Sequence, residues 1–239
     1  MRLCYSAGVS NRWSARPEFK ITKGASILLF LLVGLSLVFL LSSLPSRLTM
    51  LQWLGASADT VFGAGRVWTL ATSALLEPDG FALLFQGALL WMFVPTLERW
   101  WGGKRFALFV VATALAGTLG PVALGALDVL DSAKPVLGLD PFTHAAVVAY
   151  GIIFARQPVQ FFGAIPMTGR QLMFGIIALS LVFIAVNRAW HEGVAYVCAI
   201  AVAVVLTREN PLQRWRQWRR KRAKPALRSV PKDEATRWN

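Results

Sequence analysis

Residues 91–106 read WMFVPTLERWWGGKRF, and this stretch decides how the rest of the chain is interpreted. An apolar run ends at a glutamate, a short turn with glycines and basic residues follows, and a second apolar run begins at once. Glycines between two such runs predict a tight turn joining antiparallel helices. The flanking runs, Phe81 to Leu97 and Phe106 to Leu127, approach the roughly 20 residues that a helix needs to cross a bilayer. We therefore interpret the stretch as the turn of a membrane-spanning helical hairpin.

The whole chain has the composition of a membrane protein. Of its 239 residues, 56% are hydrophobic and 15% charged, against about 25% charged in a soluble domain. The apolar residues form uninterrupted blocks without the alternation of β-barrel strands, and helices satisfy their own backbone hydrogen bonds in lipid. We predict an all-α, polytopic membrane bundle of six transmembrane helices within residues 25–206. The four further spans are Ser26 to Leu44, Phe142 to Ala155, Gln171 to Val186 and Trp190 to Leu206.

The basic residues predict the orientation of the bundle. With the amino terminus in the cytoplasm, six spans place all but four of the 25 lysines and arginines on the cytoplasmic side, as the positive-inside rule requires. We expect a basic cytoplasmic leader at 1–24 and a basic, disordered cytoplasmic tail at 207–239. The net charge of +13 is thus explained by topology, without nucleic-acid binding. Short connections and the arginine-rich tail suggest a bacterial cytoplasmic membrane, and a membrane of the eukaryotic secretory pathway is the alternative. The four exceptions are Arg47, Arg66, Lys134 and Arg188.

The tail contains the run QRWRQWRRKR, which mixes two tryptophans with basic residues. A juxtamembrane cluster of this kind can bind anionic lipid head groups, and the alternative is that it serves only as a stop-transfer anchor. We therefore predict that the tail contacts such lipids. The residues concerned are Arg214, Arg216, Arg219, Arg220, Lys221 and Arg222.

Local signals refine this outline. The long connection 45–80 is expected to lie in the outer membrane interface. Asp79 is predicted to cap the second span, and Asp140 followed by Pro141 to cap the fourth. Glycines of the third span predict close helix contacts; they are Gly117, Gly120 and Gly125. Interfacial belts are predicted for Trp53, Trp68, Trp100 and Trp101.

Four stretches together resemble the rhomboid superfamily of intramembrane proteases. They are RVWTLATSALLEP at 66–78, WMFVPTLERWWGGKRF at 91–106, GLDPFTHAAVVAY at 138–150 and WHEGVAY at 190–196. The resemblance implies a six-helix bundle with a cavity opening outward. In active members of that family, a serine at the start of helix four is activated by a histidine of helix six. An asparagine and a histidine of helix two stabilise the oxyanion.

Transferred to this chain, the family's catalytic positions are mostly altered. The histidine of helix six is retained as His191, whereas Asp140 stands at the serine position and Pro141 at the following glycine. Gln86 and Ala82 replace the asparagine and histidine of helix two. We regard Asp140, His191 and Gln86 as a degenerate site in which no residue is identified as catalytic. Glu98 and Arg105, which flank the tight turn, are interpreted as structural.

Two interpretations of the degenerate site follow. Asp140 and His191 are predicted to form a structural pair between helices four and six, since ionisable groups in membranes face each other or a cavity. Asp140, His144 and His191 form a less favoured candidate metal site. Thr143 and Ser180 are further hydroxyls at membrane depth, and hydroxyls there commonly bond to a carbonyl one turn earlier.

We predict a pseudoprotease that binds transmembrane segments or membrane proteins without cleaving them. Its expected partners are the lipid bilayer and those segments, with no cofactor and no nucleic acid. The alternative is an intramembrane peptidase or hydrolase with non-standard chemistry, assisted by a metal or acting through an unexpected nucleophile. A small transporter or channel is a third possibility, against which the chain shows no inverted repeat.

Overall fold

The computed structural model describes residues 22–161 and 165–208. These residues form eight α-helices and one antiparallel β-hairpin, which joins the sixth and seventh helices. The predicted leader and tail, including the six basic residues assigned to lipid binding, lie outside the described residues apart from a few positions at their inner ends, and the predictions for them stand untested. The helices are α1 Lys23–Leu41, α2 Leu44–Leu54, α3 Thr69–Thr72, α4 Gly80–Trp101, α5 Gly103–Ala126, α6 Asp140–Ile153, α7 Gly169–Asn187 and α8 Trp190–Arg208, and the strands are β1 Pro158–Phe161 and β2 Ile165–Thr168.

The predicted membrane bundle is confirmed. In the described part of the chain, five helices are long and apolar enough to cross a membrane: α1, α4, α5, α7 and α8. The sixth predicted span corresponds to α6, which has only 14 residues. Most of α6 is buried, because α4, α5, α7 and α8 all pack against it. The β-hairpin was not anticipated from the sequence.

The tight turn predicted at 91–106 joins α4 to α5. Gly102 has a φ of +77°, which a glycine adopts readily, and its N–H donates to the carbonyl oxygen of Glu98 at 2.8 Å. Successive bundle helices run in opposite directions, so the bundle has two ends. We call the end where α1 begins the proximal end and the opposite one the distal end. Residues 42–79 form the first distal connection and residues 127–139 the second.

Small residues allow α5, α6 and α8 to pack closely, as predicted from the glycines of the third span. A Cβ on Gly117 would overlap Pro141, and one on Gly120 would lie 2.5 Å from Cys198 Sγ. On α8, alanines spaced four residues apart are buried: Ala195, Ala199 and Ala203. Any larger side chain at these positions would separate the helices.

Glu98 has the structural role that the sequence suggested. Its carboxylate accepts hydrogen bonds from Thr22 Oγ1 at 2.5 Å, Gly24 N at 3.1 Å and Ala25 N at 3.0 Å. The first N–H groups of a helix have no partner within the helix. The end of α4 therefore caps the beginning of α1 and ties the two helices together at the proximal end.

The distal connections are partly as predicted. Asp79 caps α4, because its carboxylate accepts from the N–H groups of Phe81 at 2.7 Å and Ala82 at 3.3 Å. The predicted cap at Asp140 is wrong: Leu139 is the N-cap, and Asp140 is the first residue of α6. In the first distal connection Trp53 and Trp68 stack with ring centroids 6.4 Å apart. Their position in a membrane interface stays a prediction.

Candidate functional site

The candidate site lies at the distal end, where α6 begins beside α4. Asp140 Oδ1 accepts a hydrogen bond from Gln86 Nε2 at 3.2 Å. Gln86 is only 1% exposed, and among the described residues its Oε1 has no hydrogen-bond partner. Two of the positions predicted to form a degenerate site are therefore in contact, and they leave one buried acceptor without a donor.

His144 lies one turn further along α6 and contacts α7 and α8. Its Nδ1 is 2.8 Å from the carbonyl oxygen of Asp140, its Nε2 is 2.6 Å from Ser180 Oγ, and its ring stacks on Tyr196 at 4.0 Å. A carbonyl oxygen only accepts, so we assign the ring hydrogen to Nδ1. In the neutral ring, Nε2 then accepts from the Ser180 hydroxyl.

The predicted pair of Asp140 and His191 is wrong. His191 Nε2 hydrogen-bonds to the backbone carbonyl oxygen of Asp131 at 3.1 Å, while Asp140 faces Gln86. The physical reason is the second distal connection, which folds against the start of α8 and provides an acceptor for the histidine. The ion pair between Lys134 and Glu192, at 3.1 Å, holds the same connection to α8.

The predicted metal triad is not assembled either. In residues 22–161 and 165–208, no group of three histidine, cysteine or acidic side chains is arranged to hold a metal ion. His144 and Asp140 share one face of α6 as predicted, but His191 is engaged by Asp131. Zinc sites need at least three such ligands around one point.

The predicted behaviour of the hydroxyls is confirmed in both cases. Thr143 Oγ1 donates to the carbonyl oxygen of Leu139 at 3.2 Å, one turn earlier. Ser180 Oγ is 2.9 Å from the carbonyl oxygen of Ile176, in addition to its contact with His144. The single hydroxyl hydrogen of Ser180 can serve only one of these two acceptors at a time.

Sequence reasoning missed Glu77, which is 5% exposed at the end of the first distal connection. Its N–H donates to Ser36 Oγ at 2.9 Å, and a Cβ on Gly138 would lie 2.5 Å from its Oε2. Burial, followed by the nearby charge of Asp140, raises the pKa of Glu77 to about 8. The available signal was an acid within an otherwise apolar run, ALLEP, directly before a proline.

The arrangement argues against serine-type chemistry at Asp140. The side chain at that position is an acceptor held by an amide, and Pro141 has no N–H to donate to an oxyanion. The retained His191 is occupied by a backbone carbonyl. Among the described residues, the hydroxyl that hydrogen-bonds to a histidine side chain is that of Ser180 on α7, and its partner is His144.

The fold, a helical bundle with a short, buried helix among longer ones, is that of a rhomboid-like integral membrane protein. The chain belongs to the family described as eukaryotic integral membrane protein (DUF1751), whose model matches residues 26–208. It is also 32% identical, over 108 residues, to the putative rhomboid protease YdcA of Bacillus subtilis (strain 168).

That similarity covers 43% of this chain and 52% of the relative, so the chain spans about half the length of the curated relative that it matches. Both comparisons confirm an integral, multi-pass membrane protein with the predicted resemblance. The family is described as eukaryotic, so the expectation of a bacterial cytoplasmic membrane has no support from it.

Proposed function

We propose that this protein binds transmembrane segments of other membrane proteins without cleaving them. The observation that carries the proposal is the hydrogen bond from Gln86 Nε2 to Asp140 Oδ1. The position of the nucleophile in active rhomboid proteases is thus occupied here by a carboxylate bound to an amide. The separation of His191 from that position supports it, because nucleophilic catalysis needs a base within hydrogen-bond reach of the nucleophile. A bundle that is preserved while its catalytic positions are altered is suited to binding transmembrane segments without cleaving them.

The least buried of the five long helices supports a role in recognition. Only 17% of the apolar, membrane-spanning part of α7 is buried, and within the bundle α7 packs mainly against α6. A transmembrane segment could lie along the apolar surface that remains. Its large exposed side chains are Phe174, Leu179, Leu181, Val182, Phe183 and Val186.

The test is co-expression with a tagged single-span reporter. The native chain should leave the reporter uncut, and a photo-crosslinker placed at Leu179 should capture it. Asp140→Ala and Asp140→Ser should also leave the reporter uncut, because the ring of His191 remains hydrogen-bonded to the carbonyl oxygen of Asp131. Cleavage that disappears in His191→Ala would refute the proposal, and so would the absence of any crosslink beside a positive control.

A second candidate is hydrolysis through Ser180, favoured by the 2.6 Å contact between its Oγ and His144 Nε2. In the assigned tautomer this histidine nitrogen accepts the serine hydrogen, which is the arrangement of a nucleophile and its general base. A serine-directed fluorophosphonate probe tests it. Labelling that is lost in both Ser180→Ala and His144→Phe, and kept in Ser36→Ala, would establish this chemistry.

We also propose that the proximal end faces the cytoplasm, because the basic residues concentrate there and acidic ones at the distal end. A membrane-impermeant maleimide should label Asp131→Cys but not Lys104→Cys in intact cells, in a background without Cys4 and Cys198. The reverse labelling pattern would invert the orientation. The proximal basic residues with described side chains are Lys23, Arg99, Lys104, Arg105, Arg156 and Arg170.

A further inference from the structure

We propose that Glu77 and Asp140 form a proton-binding site which holds the first distal connection against the start of α6, and that release of the proton loosens this attachment. The proton would pass to and from water at the distal end. This behaviour is a property of the bundle alone and requires no bound transmembrane segment.

Glu77 has little that would stabilise a negative charge. It is 5% exposed, its nearest favourable contact is the backbone N–H of Asp79, and within the described residues no lysine or arginine forms an ion pair with it. Burying an unpaired carboxylate is costly, whereas the neutral acid is tolerated. With its pKa near 8, Glu77 carries a proton at neutral pH.

The groups that act on Glu77 come from more than one element. Asp140 approaches from α6, with His144 one turn further along, and Gln86 from α4 binds Asp140 while its Oε1 has no donor among the described residues. From α8, the hydroxyl of Tyr196 lies within electrostatic range of Glu77, Asp140 and Glu192. Asp140 accepts from Gln86 Nε2, and Glu77 accepts from the backbone N–H of Asp79. A proton bound between the two acids adds a further donor and removes the repulsion between their charges. The neighbouring cation, Lys134, is paired with Glu192.

The same place is where the two distal connections are joined. Gly138 N donates to Ser73 O at 3.0 Å, and Val136 N donates to Ala56 O at 2.7 Å. Glu77 Oε2 lies against Gly138, which has a φ of +87° and is two residues from Asp140. A charge on Glu77 would face the charge of Asp140 across this contact. Repulsion there acts on these two hydrogen bonds, which lie closer to Gly138 along the chain than the third backbone bond between the connections, from Asp59 N to Ser132 O at 3.2 Å.

Hydrogen exchange of the purified full-length chain in lipid nanodiscs tests the proposal. Peptides covering residues 133–139 should lose about tenfold in protection between pH 6 and pH 9, after correction for the intrinsic exchange rate. Glu77→Gln keeps the shape and removes the ionisation, so its protection should not depend on pH. Asp79→Asn is the matched control: it changes the neighbouring acid, retains a helix-capping side chain and should behave as the native chain does.

Equal protection at both pH values in the native chain would overturn the proposal. A loss of protection in Glu77→Gln as large as in the native chain would overturn it too. If Glu77→Gln fails to fold, infrared spectroscopy of the native chain decides: the carbonyl band of a protonated carboxyl must be present at pH 6 and absent at pH 9. Since no reporter segment is present, these readouts are independent of whether the protein binds one.

Discussion

Two buried glutamates, one at each end of the bundle, have opposite surroundings. Glu98 at the proximal end receives three hydrogen bonds from the start of α1. Glu77 at the distal end is buried near a second acid, Asp140. Glu98 stabilises the fold by accepting these hydrogen bonds, whereas burial and then the charge of Asp140 raise the pKa of Glu77 to about 8. The proximal glutamate thus joins two helices by hydrogen bonds, whereas the distal glutamate lies where gain or loss of a proton would act on the packing.

The largest effect is expected from removing the proximal acceptor. Glu98→Leu deprives two helix N–H groups and one hydroxyl of their partner, which should lower the free energy of unfolding by on the order of 3 kcal/mol. Equilibrium unfolding in mixed micelles measures the change. Glu77→Leu, assayed at pH 6, is the matched variant and should cost clearly less. Equal losses would mean that the two glutamates do not differ as described.

A methyl group added beside each glutamate sharpens the comparison. Gly138→Ala places a Cβ 2.5 Å from Glu77 Oε2 at a residue whose φ is +87°, so both crowding and backbone strain oppose it. We expect a loss of about 2 kcal/mol in unfolding free energy. Gly24→Ala meets Glu98 at 2.8 Å but gains helix propensity, and should lose less. Gly34→Ala, with nothing within 4 Å of the new Cβ, is the control and should not destabilise the protein.

The pH response should move when Asp140 loses its charge. Glu77 has a folded-state pKa near 8, above its ordinary value of 4.5, so its contribution to stability is complete below 4.5 and is lost as pH rises towards 8. Asp140→Asn removes a charge that raises this pKa, so the loss should have its midpoint up to about one pH unit lower. Stability measured from pH 5 to pH 9 reports the midpoint. A shift to higher pH, or none, would show that Asp140 does not act on Glu77.

The smallest effect is expected at the exposed ion pair of the distal end. Lys134 and Glu192 have side chains that are 43% and 38% exposed, and such pairs contribute little. Lys134→Met should lower the unfolding free energy by about 0.5 kcal/mol or less. Unfolding at low and high salt measures it, with Lys104→Met at the proximal end as the control. A loss comparable to that of Glu98→Leu would show that this pair, and not Glu77, governs the distal end.

The long helices were predictable from the sequence because they coincide with largely apolar blocks, whereas α2 and α3 lie in a stretch of mixed composition and were not predicted. The turn at Gly102 and the cap at Asp79 were also predictable, since each depends on neighbours within a few residues. The partner of His191 was not predictable. It is the backbone of Asp131, in the connection between α5 and α6, and that connection reaches α8 only through the tertiary fold. Glu77 was visible in the sequence, but one acid before a proline gives no periodic signal of its burial.

The short helix α6 has a consequence for how the protein is made. With 14 residues it is about 21 Å long, less than the roughly 30 Å of a bilayer's hydrocarbon core, and it contains Asp140 and His144. Such a segment is a poor candidate for stable insertion by itself. It packs most extensively against α8 and then α7, which both follow it in the chain. The packing around α6 can therefore be completed only after α8 has been synthesised, and a nascent chain stopped after α7 would hold α6 without its main partner.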